Sequence, residues 1–173
     1  GKIVVIPGAS GGMGKEVCRL LAGEGARLAI SSNDEPALKE LEGKLKAGGC
    51  EVISMVMDVT SEDDVKAFYN KVEAVYGKAD ILLNLPGISI PSPVADMAVE
   101  KYDLTMDVNL KGTFLCSKHF INLVDTNAGG LIINIGSMAS KRANPNAPLY
   151  CTAKAAVNMF SQGLALQLID KKI

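Results

Sequence analysis

The chain opens with an apolar run, Ile3-Val4-Val5-Ile6, that passes directly into Pro7-Gly8-Ala9-Ser10-Gly11-Gly12-Met13-Gly14 and then into a helical pattern. Few sequence features restrict a fold more. Glycine reaches positive φ without steric cost, so glycines at this spacing let the backbone turn sharply and approach a ligand closely. The unpaired N–H groups and dipole at the start of the following helix then favour a bound phosphate. A side chain at Gly8 or Gly14 is expected to block that approach, and Ser10, Gly11, Gly12 and Met13 complete the expected pyrophosphate-binding turn. A plain strand-to-helix joint is the duller reading. The strand before and the helix after supply the context a dinucleotide-binding βαβ unit requires.

The alternation continues along the chain. Short apolar runs at Ile3–Ile6, Arg27–Ser31, Val52–Met57, Ile81–Leu83 and Leu131–Ile135 predict five parallel strands covered on both faces. Helical patterns occupy Met13–Ala22, Pro36–Ala47, Ser61–Tyr76, Val99–Val124 and Tyr150–Ile169. Ser61 with Asp64 reads as a capping box, and Gly23, Gly25, Gly48, Gly49 and Gly77 stop helices before the next strand. Such units predict a doubly wound parallel sheet in a three-layer αβα sandwich, with residues 1–173 forming one domain.

Composition excludes several other roles. Eighteen basic residues against nineteen acidic ones leave a net charge of −1, with no excess to neutralise a nucleic acid backbone. Lys141-Arg142 and Lys171-Lys172 are short basic pairs that read as solvated surface. Cys18, Cys50, Cys116 and Cys151 are scattered without a Cys-x-x-Cys pair, which predicts reduced thiols and a cytoplasmic protein rather than disulfides or metal ligands. There is no signal-like segment and no apolar stretch long enough to span a bilayer. His119, the only histidine, has no partners at metal spacing and reads as a helix-face residue. Met55, Met57, Met97, Met106 and Met159 read as core or pocket lining.

Chemistry concentrates near the end. Tyr150 and Lys154 lie at i and i+4 of one helical pattern, thirteen residues after Ser137. Tyrosine is a poor acid near neutrality, with an ordinary pKa of about 10, and a neighbouring ammonium favours its phenolate. Lys154 is placed to supply that charge. Tyr150 is therefore the expected general acid for carbonyl reduction and general base for alcohol oxidation. Ser137, just past the fifth strand, is expected to donate a hydrogen bond to the substrate oxygen.

Taken in order, these motifs resemble the short-chain dehydrogenase/reductase family from end to end. The turn at Pro7–Gly14 is similar to its Thr-Gly-x-x-x-Gly-x-Gly motif, with proline in place of threonine. Asp58-Val59-Thr60 resembles its adenine-contacting Asp-Val segment. Asp80-Ile81-Leu82-Leu83-Asn84-Leu85-Pro86-Gly87 resembles its Asp-x-Leu-Val-Asn-Asn-Ala-Gly strand. Asn109, within Val108-Asn109-Leu110-Lys111-Gly112, matches its helix-bend asparagine, and Ser137 with Tyr150-Cys151-Thr152-Ala153-Lys154 matches its catalytic serine and Tyr-x-x-x-Lys pair. The resemblance implies a Rossmann fold and a hydride transferred between a nicotinamide coenzyme and a ketone or secondary alcohol. It implies catalytic roles for Asn109, Ser137, Tyr150 and Lys154, with Asn109 holding a water that relays protons to Lys154. It also implies coenzyme contacts at Asp58, Val59, Asn84, Pro86, Gly87, Tyr150 and Lys154, and a homodimer or homotetramer built on the helices carrying Asn109 and Tyr150.

By alignment to that family, Ser32 stands where an NAD-selecting aspartate would be, and Asn33 where an NADP-binding arginine often follows. A small Ser32 leaves room for a 2′-phosphate and leans the expectation toward NADP over NAD, while Asp34 opposes it. Pro7, Leu85, Pro86 and Gly136 depart from the family pattern, so a non-catalytic nicotinamide-nucleotide sensor or scaffold is the alternative. The substrate is expected to be a small-molecule carbonyl or alcohol, among 3-oxoacyl thioesters, small ketones, sugars or polyols. Ile88, Ser89, Ile90, Pro91, Met138, Ala139 and Ala143–Leu149 are its expected lining. The family continues past Lys171-Lys172-Ile173 into further strands, so the chain is expected to be trimmed.

Overall fold

A computed structural model describes residues 1–173. The strands are β1 (Ile3–Pro7), β2 (Arg27–Ser32), β3 (Val52–Val56), β4 (Ile81–Asn84) and β5 (Leu131–Asn134). They form one parallel sheet in the order β3-β2-β1-β4-β5. The chain therefore runs outward from β1 in one direction and returns to build β4 and β5 on the other. That reversal leaves a crevice beyond the carboxyl ends of β1 and β4, the place where sheets of this topology bind ligands.

Period-two alternation divides the strands between two cores. Val5, Ala29 and Leu82 face Val65, Phe68, Leu115 and Phe120 of helices α3 (Glu62–Tyr76) and α5 (Gly112–Ile121). Val4, Ile6, Leu28, Ile30 and Leu83 face Cys18, Leu38 and Leu41 of α1 (Gly12–Gly23) and α2 (Glu35–Ala47). The expected capping box is present: Ser61 Oγ accepts from Asp64 N–H at 3.3 Å.

Two expectations need correction. The Val99–Val124 pattern is not one uniform helix: α4 (Val99–Met106) passes through a π turn at Asp107–Lys111 into α5, which ends at Ile121. The cause is Asn109, whose side-chain amide donates to the Thr105 carbonyl and to the Ile88 carbonyl, both at 2.8 Å. By taking an i−4 carbonyl with a side chain, it widens the backbone ladder locally. The second concerns β5, which is not covered on both faces: Leu131 is 48% and Ile133 39% exposed. It is the edge strand: Ile132 packs on the core shared with α5, and α6 (Pro148–Leu168) lies across a groove lined by Ser161, Leu164 and Leu168.

The glycine turn is built by contact as well as by φ. A Cβ at Gly14 would lie 2.4 Å from the Ala9 carbonyl oxygen, whereas one at Gly12 would meet nothing within 4 Å. Gly14→Ala is accordingly expected to cost about 1–3 kcal/mol, the usual penalty for overpacking. Gly12→Ala, its matched control, should leave the urea midpoint almost unchanged; equal midpoints for the two variants would contradict the assigned packing.

Candidate active site

A cleft of about 460 Å³ opens at the crevice between β1 and β4. Gly8, Ser10 and Gly11 form one wall, Ser32, Asn33 and Asp34 the far end, Asp58 and Val59 the side, and Pro86 and Gly87 the near end. Nine of the expected coenzyme contacts thus line this one cleft. Gly8 makes the wall possible, since it holds φ +75° and its added Cβ would sit 2.9 Å from Pro86 N.

The other expected contacts lie around this cleft rather than in its lining. Gly12 and Met13 form the first residues of α1, and Gly14 packs beneath the turn against Ala9. Asn84 is turned into the sheet, where its amide donates to Asn134 Oδ1 at 2.8 Å and Ser117 Oγ at 3.3 Å. Its place is structural support because a buried amide between two strands must find polar partners there. Sequence reasoning missed Leu104 and Val108 as lining residues. Their i,i+4 spacing was the available signal, but only the fold brings that helix face to the cleft.

The alpha-helix dipole end completes the wall. Gly11 is the N-cap of α1 and offers no side-chain hydrogen bond, and the first turn carries no acidic residue. Its leading N–H groups therefore face outward without an internal acceptor, a donor set suited to a pyrophosphate.

At Gly87 the cleft meets the expected catalytic residues. A Cβ there would come within 3.1 Å of Asn109 Oδ1 and 3.2 Å of Lys154 Nζ, so glycine leaves these two groups facing the same space. Asn109 is fully buried, and no protein group donates to its Oδ1. Lys154, only 4% exposed, donates to the Ile135 carbonyl at 2.9 Å. Its ammonium lies 5.9 Å from the centre of the Tyr150 ring, one turn earlier on α6. Burial holds the Lys154 amine below its ordinary range.

Ser137 follows β5 in extended conformation and caps a short 3-10 turn at Met138–Ser140. Its Oγ accepts from Ala139 N–H at 3.1 Å, which leaves the hydroxyl proton available to another acceptor. The turn packs against α6, the helix that carries Tyr150 and Lys154. His119 sits mostly buried on α5 beside Tyr69, with Nε2 3.6 Å from Glu62 Oε1. No three His, Cys, Asp or Glu side chains converge as a metal site. Burial pushes the Cys18 and Cys116 thiols up to about 12, which makes them inert core residues.

Comparison with known proteins decides the family. A family model described as short chain dehydrogenase matches residues 2–173. The chain belongs to the short-chain dehydrogenase family. A probable oxidoreductase of Mycobacterium tuberculosis is 35% identical over 167 residues, covering 96% of this chain and 28% of the relative. The chain thus spans less than a third of that relative's length. Among solved structures, an NAD+-bound xylitol dehydrogenase superposes with a TM-score of 0.95 at 31% identity, covering 99% of this chain and 66% of its own. An actinorhodin polyketide ketoreductase with NADPH gives a TM-score of 0.94 at 28% identity, covering 99% and 67%. The chain has no helix long and apolar enough to cross a membrane.

The buried amine gives a pH prediction. Because the folded-state pKa of Lys154 is lowered, the unfolded chain binds more protons, and this residue's contribution to stability rises with pH. It is least favourable near neutrality and recovers as pH approaches the ordinary lysine value of 10.5. Melting curves of Lys154→Met and the unmutated protein should therefore shift in favour of the unmutated protein as pH is raised from 7 toward 10; a pH-independent difference would contradict the assigned burial.

Proposed function

We propose that this protein is an NAD(P)-dependent oxidoreductase that transfers a hydride between a nicotinamide coenzyme and a ketone or secondary alcohol. The observation that carries the reading is the continuity of one cleft from the uncapped start of α1 to Gly87, where Asn109 and Lys154 converge. The leading N–H groups of α1 fit a pyrophosphate, and the bare glycine at position 87 fits a flat ring beside Lys154. When bound, the coenzyme supplies or accepts the hydride.

The chain's own residues handle the proton. In reduction, Tyr150 donates its hydroxyl proton to the substrate oxygen, and Ser137 steadies that oxygen by a hydrogen bond as negative charge grows there. Lys154 favours the phenolate that remains and carries the replacement proton toward it. Asn109 Oδ1, an acceptor without a protein donor, is suited to hold the water that connects Lys154 with solvent. Oxidation reverses each step. Replacing Tyr150 by Phe should lower turnover of a responsive ketone by at least about a thousandfold, while coenzyme binding followed by fluorescence stays within about twofold. Unchanged turnover in that variant would overturn the mechanism; no turnover by the unmutated protein on any carbonyl, with coenzyme still bound, would favour the sensor reading.

For coenzyme choice we infer NAD, against the lean toward NADP that a small Ser32 gives. Its far end holds the Ser10 and Ser32 hydroxyls, 2.5 Å apart, with Asp34 and Asp58 nearby and no lysine or arginine in the lining. A 2′-phosphate carries about 1.5 to 2 negative charges and would meet two carboxylates without a cation. Titration should show NAD binding at least about tenfold more tightly than NADP, and Asn33→Arg should narrow that gap. Tighter binding of NADP by the unmutated protein would contradict this.

A homo-oligomer is part of the proposal. Phe114 of α5 and Phe160 of α6 pair edge to face at 6.3 Å, and Phe114 is 45% exposed, beside exposed Met159. Such an apolar surface suits a self-complementary contact. The substrate itself is proposed only as a small carbonyl or alcohol.

A further inference from the structure

Tyr150, Lys154 and Asn158 follow one another at four-residue intervals along α6, so all three share a face of that helix. Lys154 touches the segment after β5 at the Ile135 carbonyl. Asn158 touches the same segment in two ways further on. Its amide Nδ2 donates to Ser140 Oγ at 2.7 Å, and Ser140 Oγ in turn donates to the Ser137 carbonyl at 2.6 Å. Its Oδ1 lies 2.7 Å from where a Cβ on residue 136 would stand, so glycine at 136 lets the side chain keep this rotamer without crowding.

Resting on the oxidoreductase reading, we propose that Asn158 is a positioning residue, which through Ser140 holds the Met138–Ser140 turn and so aims the hydroxyl of Ser137. The physical reason is direct. The Ser137 carbonyl also accepts Ser140 N–H at 3.1 Å, and the Ser137 hydroxyl oxygen accepts Ala139 N–H. The conformation of this one turn therefore fixes both ends of Ser137. A turn of three residues holds few bonds of its own, and the anchor from α6 ties it to the helix that carries Tyr150 and Lys154. Gly136 and Asn158 thereby form a coupled pair: the glycine gives up a side chain at the strand end, and the asparagine places its amide oxygen in that space while its amide nitrogen donates to Ser140.

The anchor acts through two links in series, and that dictates the test. Asn158→Ala and Ser140→Ala should each lower kcat by about ten- to hundredfold, the scale of a small misplacement of a reacting group. Coenzyme affinity should stay unchanged, because neither residue borders the cleft's coenzyme end. The double variant should lose no more than either single one, since both break the same chain of bonds. Ser140→Thr, which keeps the hydroxyl, should keep the rate. Gly136→Ser should lower kcat in the presence of Asn158 and less so in its absence. Full activity of Asn158→Ala, multiplied losses in the double variant, or coenzyme binding that falls in step with kcat would each overturn the proposal. If the unmutated protein turns over no carbonyl, the oxidoreductase reading is what fails. Crystal structures of the unmutated protein and Asn158→Ala then decide the present proposal: a reoriented Ser137 hydroxyl supports it, and an unmoved one overturns it.

Discussion

Gly8 holds a φ of +75° with its α-carbon so near the β4 end that an added methyl carbon would lie 2.9 Å from the nitrogen of Pro86. This contact joins the two strand ends at which the sheet reverses direction. It is a backbone-to-backbone approach, closer than any other residue type permits. From it follow the wall of the cleft, the outward aim of the first N–H groups of α1 and the position of Gly87. Without it, the anion-binding turn and the Lys154 region would be separate surface features.

The other end of the cleft depends on buried polar groups, which are expensive unless each finds a partner. Asn109 meets this need at its amide nitrogen with two carbonyls, and so creates the π turn between α4 and α5, while its Oδ1 has no protein donor. Lys154 meets it with a single carbonyl, and its amine stays easier to deprotonate than an ordinary lysine. Groups kept in this state sacrifice some stability for reactivity. The same helix that buries Lys154 also anchors the Ser137 turn, so one rigid element sets several groups of the proposed chemistry.

Much of this was legible in the residues. Apolar runs of three to six residues between glycine-stopped helical patterns are what a buried parallel sheet requires, and the five strands fall where those runs predict. Gly8, Ser32, Asp58 and Gly87 were readable because motif spacing reports local backbone geometry. What escaped depended on contacts between distant segments. The π turn arises from Asn109 reaching Ile88, twenty-one residues away. The exposure of Leu131 and Ile133 follows from the edge position of β5, which an apolar pattern cannot express. Coenzyme preference was not legible from Ser32, Asn33 and Asp34 by themselves, because the charges gathered around them are a property of the assembled cleft.

The most direct test is a crystal structure of the unmutated protein with oxidised coenzyme bound. The account predicts the pyrophosphate over Gly11 and the start of α1, the nicotinamide beside Gly87, and the Tyr150 and Ser137 hydroxyls within hydrogen-bond reach of one substrate oxygen next to it. A coenzyme seated elsewhere, or a Tyr150 hydroxyl turned away from the nicotinamide, would contradict it.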